Sequence, residues 1–172
     1  MFKQIMMLLG CSCFIGSIYA VEIRNGSFEN GLVGWSVKKG LVSVDNSVSA
    51  VGKASLRISF EKPTWNRIFQ NFAVKPDTVY KLEYQVKCEN VVPQAGARIA
   101  GAASWIFLKK NTPLRGSQGP WKLDAAPGKW QQVSYTFKTG KDDTKAAVGF
   151  QLRNASGTIW IDDVKITEVT GK

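Results

Sequence analysis

Residues 79–89 alternate without a break, and that alternation limits the folds open to the chain. Tyr80, Leu82, Tyr84, Val86 and Cys88 fall on one face of a period-two strand, with Lys81, Glu83, Gln85 and Lys87 on the other. A strand dry on one side and wet on the other belongs to an antiparallel sheet packed through a single face, not to a parallel sheet covered by helices. It also gives Cys88 a plain role as a small buried apolar side chain. The pattern recurs. Residues 54–60 turn Leu56, Ile58 and Phe60 inward, and residues 67–74 align Ile68, Phe72 and Val74. Residues 130–138 align Val133, Tyr135 and Phe137, and residues 145–153 align Ala146, Val148, Phe150 and Leu152. Shorter strands are expected over 21–24, 35–38 and 41–45, with a tight turn at Lys39-Gly40 and an alanine- and glycine-rich strand over 98–108. No stretch carries a helical period. About ten short strands with turns between them predict an all-β chain, a jelly-roll β-sandwich of two antiparallel sheets.

The final stretch, residues 157–169, is apolar and β-branched behind a glycine, the mark of another strand. Its alternation breaks midway. Ile159 and Ile161 share one face while Val164 and Ile166 share the other, so the parity switches at Asp162-Asp163. A β-bulge there is expected to turn a carboxylate inward. A buried carboxylate without a partner is costly, so something must neutralise it. The candidate partner lies in residues 25–35, NGSFENGLVGW, with Glu29 as its acidic member. A metal ion held by Glu29 and Asp162 would join the first strand to the last. The alternative is that Asp162 accepts backbone N–H groups within its bulge and Glu29 is a solvated turn residue.

The chain opens on Met1-Phe2-Lys3, followed by an almost uncharged run that ends in small residues at Ala20 and is short for a membrane span. Residues 1–20 therefore read as a signal peptide, and residues 21–172 as one secreted or periplasmic domain. Leu8-Leu9-Gly10-Cys11 resembles a lipobox, the alternative, which would anchor the chain at Cys11. Cleavage after Ala20 removes two of the three cysteines, so no internal disulfide is expected and the fold rests on its core. The formal net charge of +10 fits either solubility or attraction to acidic polymers; no nucleic-acid motif accompanies it.

Taken in order, Asn25-Gly26-Ser27-Phe28-Glu29 with Gly34-Trp35, Gly52-Lys53-Ala54-Ser55-Leu56, and Trp65 with Gln70 form the first half of a recognisable set. Val74-Lys75-Pro76 with Tyr80, Gly128-Lys129-Trp130 with Phe137, and Ile161-Asp162-Asp163-Val164 complete it. The chain resembles the carbohydrate-binding modules of the cellulase-C type, families four, nine and twenty-two, with a galactose-binding-like jelly roll. The resemblance implies a groove on the concave face that binds polysaccharide or oligosaccharide, and a role accompanying a glycoside hydrolase. It also implies a structural calcium ion held by the carboxylates of Glu29 and Asp162 and the backbone carbonyls of Ser27 and Lys53. Sugar rings pack their C–H faces on flat aromatics. By the resemblance Trp65, in a turn after Pro63, and Trp105 would stack on sugars; Trp121, in the long loop 109–128, is a third candidate without a motif match. From the alternation, Ala147 and Gly149 would leave room in the groove, and Gln151, Arg153 and Gln85 would hydrogen-bond hydroxyls. Lys109, Lys110, Arg115 and Lys122 lie near Trp121 in sequence and would favour an acidic glycan, unless they are simply a solvated loop.

The chain contains no histidine, which removes Ser-His-Asp, Cys-His and histidine-ligated zinc chemistry together. Glycoside hydrolysis needs two carboxylates facing each other across a groove. The pairs Asp142-Asp143 and Asp162-Asp163 are adjacent and point apart on a strand, and Glu83 has no obvious mate. Non-catalytic binding is therefore expected, with a secreted adhesion or protein-interaction sandwich as the main alternative and a glycoside hydrolase behind it.

Overall fold

The computed structural model describes residues 19–37, 42–108 and 128–169. These hold eight strands and no helix: β1 (Tyr19–Val21), β2 (Ser36–Val37), β3 (Val42–Asp45), β4 (Ser55–Ala73), β5 (Val79–Pro93), β6 (Gly101–Leu108), β7 (Gln131–Lys138) and β8 (Lys145–Glu168). Every pairing is antiparallel. The expected turn at Lys39-Gly40 and the whole leader up to residue 18 lie outside the described residues. A cut after Ala20 would fall within β1, leaving Val21 paired to Ile166.

Two expected breaks are continuous strand. Residues 55–60 and 67–73 belong to the single strand β4, and residues 145–153 and 157–168 to the single strand β8. Pro63 reads as a stop because it lacks an N–H, but it lies where β4 and β8 shift register, between Phe60 and Thr64, so no ladder bond is lost. On β8 the matching bend uses Asn154 (φ 45°) and Gly157 (φ 110°). A side chain at Gly157 would also strike the backbone of Asn90, so only glycine lets β5 run this close.

The bend lets the two long strands serve both layers of a sandwich. One layer is β2, residues 64–73 of β4, residues 145–155 of β8, and β6. The other is β3, residues 55–60 of β4, residues 156–168 of β8, β5 and β7, with β1 along β8. Between them the Tyr84 ring meets Phe150 edge-on at 4.9 Å, and the Tyr84 hydroxyl donates to Ser104 Oγ across the core at 3.0 Å. Cys88 is buried there, and burial pushes its thiol up to about 12, which makes it inert as expected.

The parity switch is a bulge. Glu83 pairs with Lys165 and Gln85 with Asp162, so β8 carries one extra residue, and Asp163 takes φ 52°. Ile159, Ile161, Val164 and Ile166 all reach the core as a result.

Candidate functional site

The outer face of the β2–β4–β8–β6 layer is built by strand alternation. Because Ile68, Val148, Phe150 and Ile106 fill the core, Trp65, Arg67, Phe69 and Asn71 of β4 point away from it. So do Ala147, Gly149, Gln151 and Arg153 of β8 and Trp105 and Phe107 of β6. Trp65 is 51% exposed, the one aromatic among the described side chains that is half open to solvent. Its indole Nε1–H donates to Gln151 Oε1 at 3.1 Å, which fixes the ring's orientation. Arg153 lies 5.6 Å from the Trp65 ring centre. Arg67 sits among three rings, 5.7 Å from Trp65, 5.7 Å from Phe69 and 5.9 Å from Trp105.

Shallow hollows flank this row. One of about 560 Å³ is lined by Ser36, Val37, Trp65, Asn66, Arg67 and Phe69. The next, about 330 Å³, is lined by Arg67, Phe69, Asn71, Trp105, Phe107 and Ala147. Arg67 and Phe69 belong to both, so the hollows continue one another across the face. A larger depression of about 720 Å³ lies near β1 and Gln70, but its polar groups bind one another. Arg24 N–H donates to Gln70 Oε1, Gln70 Nε2–H donates back to the Arg24 carbonyl, and Lys75 pairs with Glu168. It also lacks an open aromatic of the kind that Trp65 offers.

Several expected site residues take different parts here. Trp65 lies inside β4, opposite Arg153, rather than in a turn. Trp105 is at the site but buried: its ring covers Gly149, meets Phe107 edge-on at 4.1 Å and lies 6.3 Å from Phe69. It is the floor of the face and not a surface on which sugar can stack. The room expected at Gly149 is filled by that indole. Gln151 is mostly buried, and its Oε1 accepts from the Trp65 indole, so it positions the tryptophan. Gln85 does not join the site. It pairs with Gln132 and Asp162 in the other layer, with Tyr84 and Val86 on its core side, and so points out of the opposite face. Glu83 shares that face and is tied to Lys81 at 2.7 Å. Trp121 and the lysines and arginine of its loop lie outside the described residues.

Arg67, Phe69 and Phe107 were not among the expected site residues. The signal was present: on a strand whose core positions are Ile68 and Phe72, Phe69 has the wrong parity for the core. A β-carbon on Gly149 would strike the Trp105 ring. Gly149→Ala is accordingly expected to cost about 1–3 kcal/mol by overpacking. A chemical melt should show that loss together with weakened glycan binding, because the floor under Arg67 moves.

The chain ends meet at a second feature. Asp162 is fully buried, and its Oδ2 accepts N–H bonds from Ala50 at 2.8 Å and Val51 at 2.9 Å, while Oδ1 accepts from Asp163 at 2.7 Å. Burial still holds its carboxyl above the ordinary value, against the pull of those three amides. Glu29, beyond the buried Phe28, turns its Oε1 to the N–H groups of Lys53 at 2.9 Å and Ala54 at 3.0 Å. The two carboxylates thus grip residues 50–54 from opposite ends of the chain. Backbone amides thus supply part of the neutralisation, as the alternative to an ion expected for Asp162, and they hold Glu29 as well. The donors expected to hold an ion, these two carboxylates with the carbonyls of Ser27 and Lys53, are all oxygen and suit calcium. Among the described residues no third acidic, histidine or cysteine side chain joins them.

The family described as "Carbohydrate binding domain" matches residues 22–157. The chain belongs to this family. The matched span holds every residue of the Trp65 face and Glu29, and it stops short of Asp162. The carbohydrate-binding domain is 25% identical over 143 residues to "Exochitinase 1" of Streptomyces olivaceoviridis, a match covering 83% of this chain and 21% of that protein. The chain therefore spans about a fifth of that curated relative's length. Among solved structures it is similar to a CBM4 structure (TM-score 0.58, 19% identity, 86% of this chain and 100% of that one). It is also similar to the CBM22-1 xylan-binding domain of Paenibacillus barcinonensis Xyn10C (TM-score 0.56, 19% identity, 86% and 94%). At these identities the likeness is one of fold.

Proposed function

We propose that this carbohydrate-binding domain holds a polysaccharide chain along the Trp65 face without cleaving it, as an exported accessory to a glycoside hydrolase. The half-open Trp65 indole, held by Gln151 beside two connected hollows, carries the reading: it offers a flat apolar surface of the kind sugar rings pack on. Hydrolysis is disfavoured by the make-up of the same face. Residues 64–73, 101–108 and 145–153 contain no aspartate or glutamate, and hydrolysis needs a carboxylate pair. The accessory role draws support from the exochitinase relative, and export from the leader-like residues 1–20. Affinity electrophoresis of the purified chain through gels containing neutral and charged polysaccharides tests the proposal. Retardation by at least one glycan class is the expected result; migration unchanged in every gel would overturn it and favour a protein partner.

Calcium at the join of the termini is the second part of the proposal. Glu29, Asp162 and the carbonyls of Ser27 and Lys53 would hold it, and the ion would supply positive charge to a carboxylate whose ionisation burial opposes. Adding calcium to chelator-treated protein is expected to raise the melting temperature by several degrees, since a ligand that binds only the folded state stabilises it by mass action. No shift at millimolar calcium would leave the backbone amides as the sole partners of Asp162.

A further inference from the structure

We infer that the sugar on the Trp65 face is anionic, and that Arg67 and Arg153 read its carboxylate or sulfate groups. This rests on the glycan reading above and narrows it to a substrate class. Arg67 is exposed, yet its guanidinium is held among the rings of Trp65, Phe69 and Trp105. Rings attract the cation through their negative faces while leaving its N–H groups without acceptors of their own. Arg153 lies over the other end of the row, against Trp65 and directly across from it in the strand register.

Among the described residues no carboxylate pairs with either arginine. The opposite face shows the contrast. Along β5, Lys81 pairs with Glu83 at 2.7 Å and Lys87 with Glu89 at 3.0 Å, so each cation there has its counter-charge two residues on. Among the described residues the charges on the Trp65 face are Arg67, Arg153 and Lys145, all of one sign. A surface of one sign concentrates polymers of the other. A guanidinium already oriented by aromatic contact gives up little side-chain freedom when its planar fork meets a carboxylate or sulfate in two parallel hydrogen bonds. A neutral glycan would leave both forks without an anionic partner.

The test compares the purified chain with the double variant Arg67→Gln/Arg153→Gln on four polymers. Polygalacturonate and unsulfated chondroitin carry carboxylates, chondroitin sulfate carries both groups, and xylan is the neutral control. The expected result is at least tenfold tighter binding to the anionic polymers than to xylan, with roughly tenfold or more of that lost in the double variant. The melting temperature should stay within about 2 °C, so that lost binding is not lost folding. Binding to unsulfated chondroitin would identify carboxylate as sufficient; binding to chondroitin sulfate alone would identify sulfate, and either supports the inference. Equal affinity for xylan and the anionic polymers would overturn it while leaving the glycan reading intact. So would anionic binding that the double variant leaves untouched, since the charge would then lie elsewhere. No binding to any polymer would overturn both readings together.

Discussion

Trp65→Ala is expected to weaken polysaccharide binding by at least tenfold while leaving the fold intact. The indole is half exposed, and its one hydrogen bond is to Gln151, so removing it opens no core cavity. Surface changes of this kind usually alter stability by about 0.5 kcal/mol or less, a melting shift of about 2 °C for a domain of this size. Binding is another matter. A central aromatic anchor carries about 1.4–2 kcal/mol or more of an interaction, which is about tenfold to thirtyfold or more in affinity. Isothermal titration beside a thermal melt reads both. The comparison that gives the result meaning is Trp105→Ala. Trp105 is buried on Gly149 and against Phe107, so its truncation should cost about 3–5 kcal/mol of stability and reduce binding by loosening the face. Retained affinity in Trp65→Ala would remove this tryptophan from the site.

Much of this arrangement is legible in the sequence because strands alternate. The inward set of residues 79–89, from Tyr80 to Cys88, is buried throughout, and the parity switch at Asp162-Asp163 is a bulge. What alternation cannot supply is which strands share a layer. Gln85 and Gln151 both read as outward polar residues, yet they lie on opposite faces of the sandwich, because β8 bends at Asn154 and Gly157 and joins β5 only beyond the bend. The same bend explains the two merged strands. Pro63 and Gly157 have the local chemistry of breaks, but each stands where a long strand passes from one layer to the other. Exposure is also beyond a one-dimensional pattern. Gly149 reads as empty space, and only the pairing of Trp105 opposite it shows that the space is filled. Arg67 reads as an ordinary surface charge until β4, β8 and β6 bring three rings around it.

Asp162→Ala is expected to be among the most damaging single changes outside the apolar core. The carboxylate is the acceptor for the N–H groups of Ala50, Val51 and Asp163, and it lies fully buried. Alanine would strand those donors where water reaches them poorly, and each buried unsatisfied donor costs about 1–3 kcal/mol. Because Val51 itself is half exposed, water recovers part of that. A net loss of about 2–4 kcal/mol follows, with a melting temperature lower by on the order of 5–10 °C. The effect should spread beyond the bulge, since residues 50–54 also hold Glu29 and, through it, the segment that seats Phe28 in the core. Asp162→Asn keeps the volume but turns an NH₂ group toward a donor, so it should fall between wild type and alanine. The pH dependence separates this amide role from an ionic one. Burial holds the folded carboxyl above its ordinary 3.8. Stability from this group is therefore fullest below that value and is lost as pH rises through the raised folded value. A bound calcium ion would restore stability on the alkaline side of that titration and lose its effect as protons compete for the carboxylate. Melts from pH 3 to pH 8, with calcium and with chelator, should diverge at neutral pH and converge in acid. Curves that coincide throughout would mean that the three amides hold Asp162 alone.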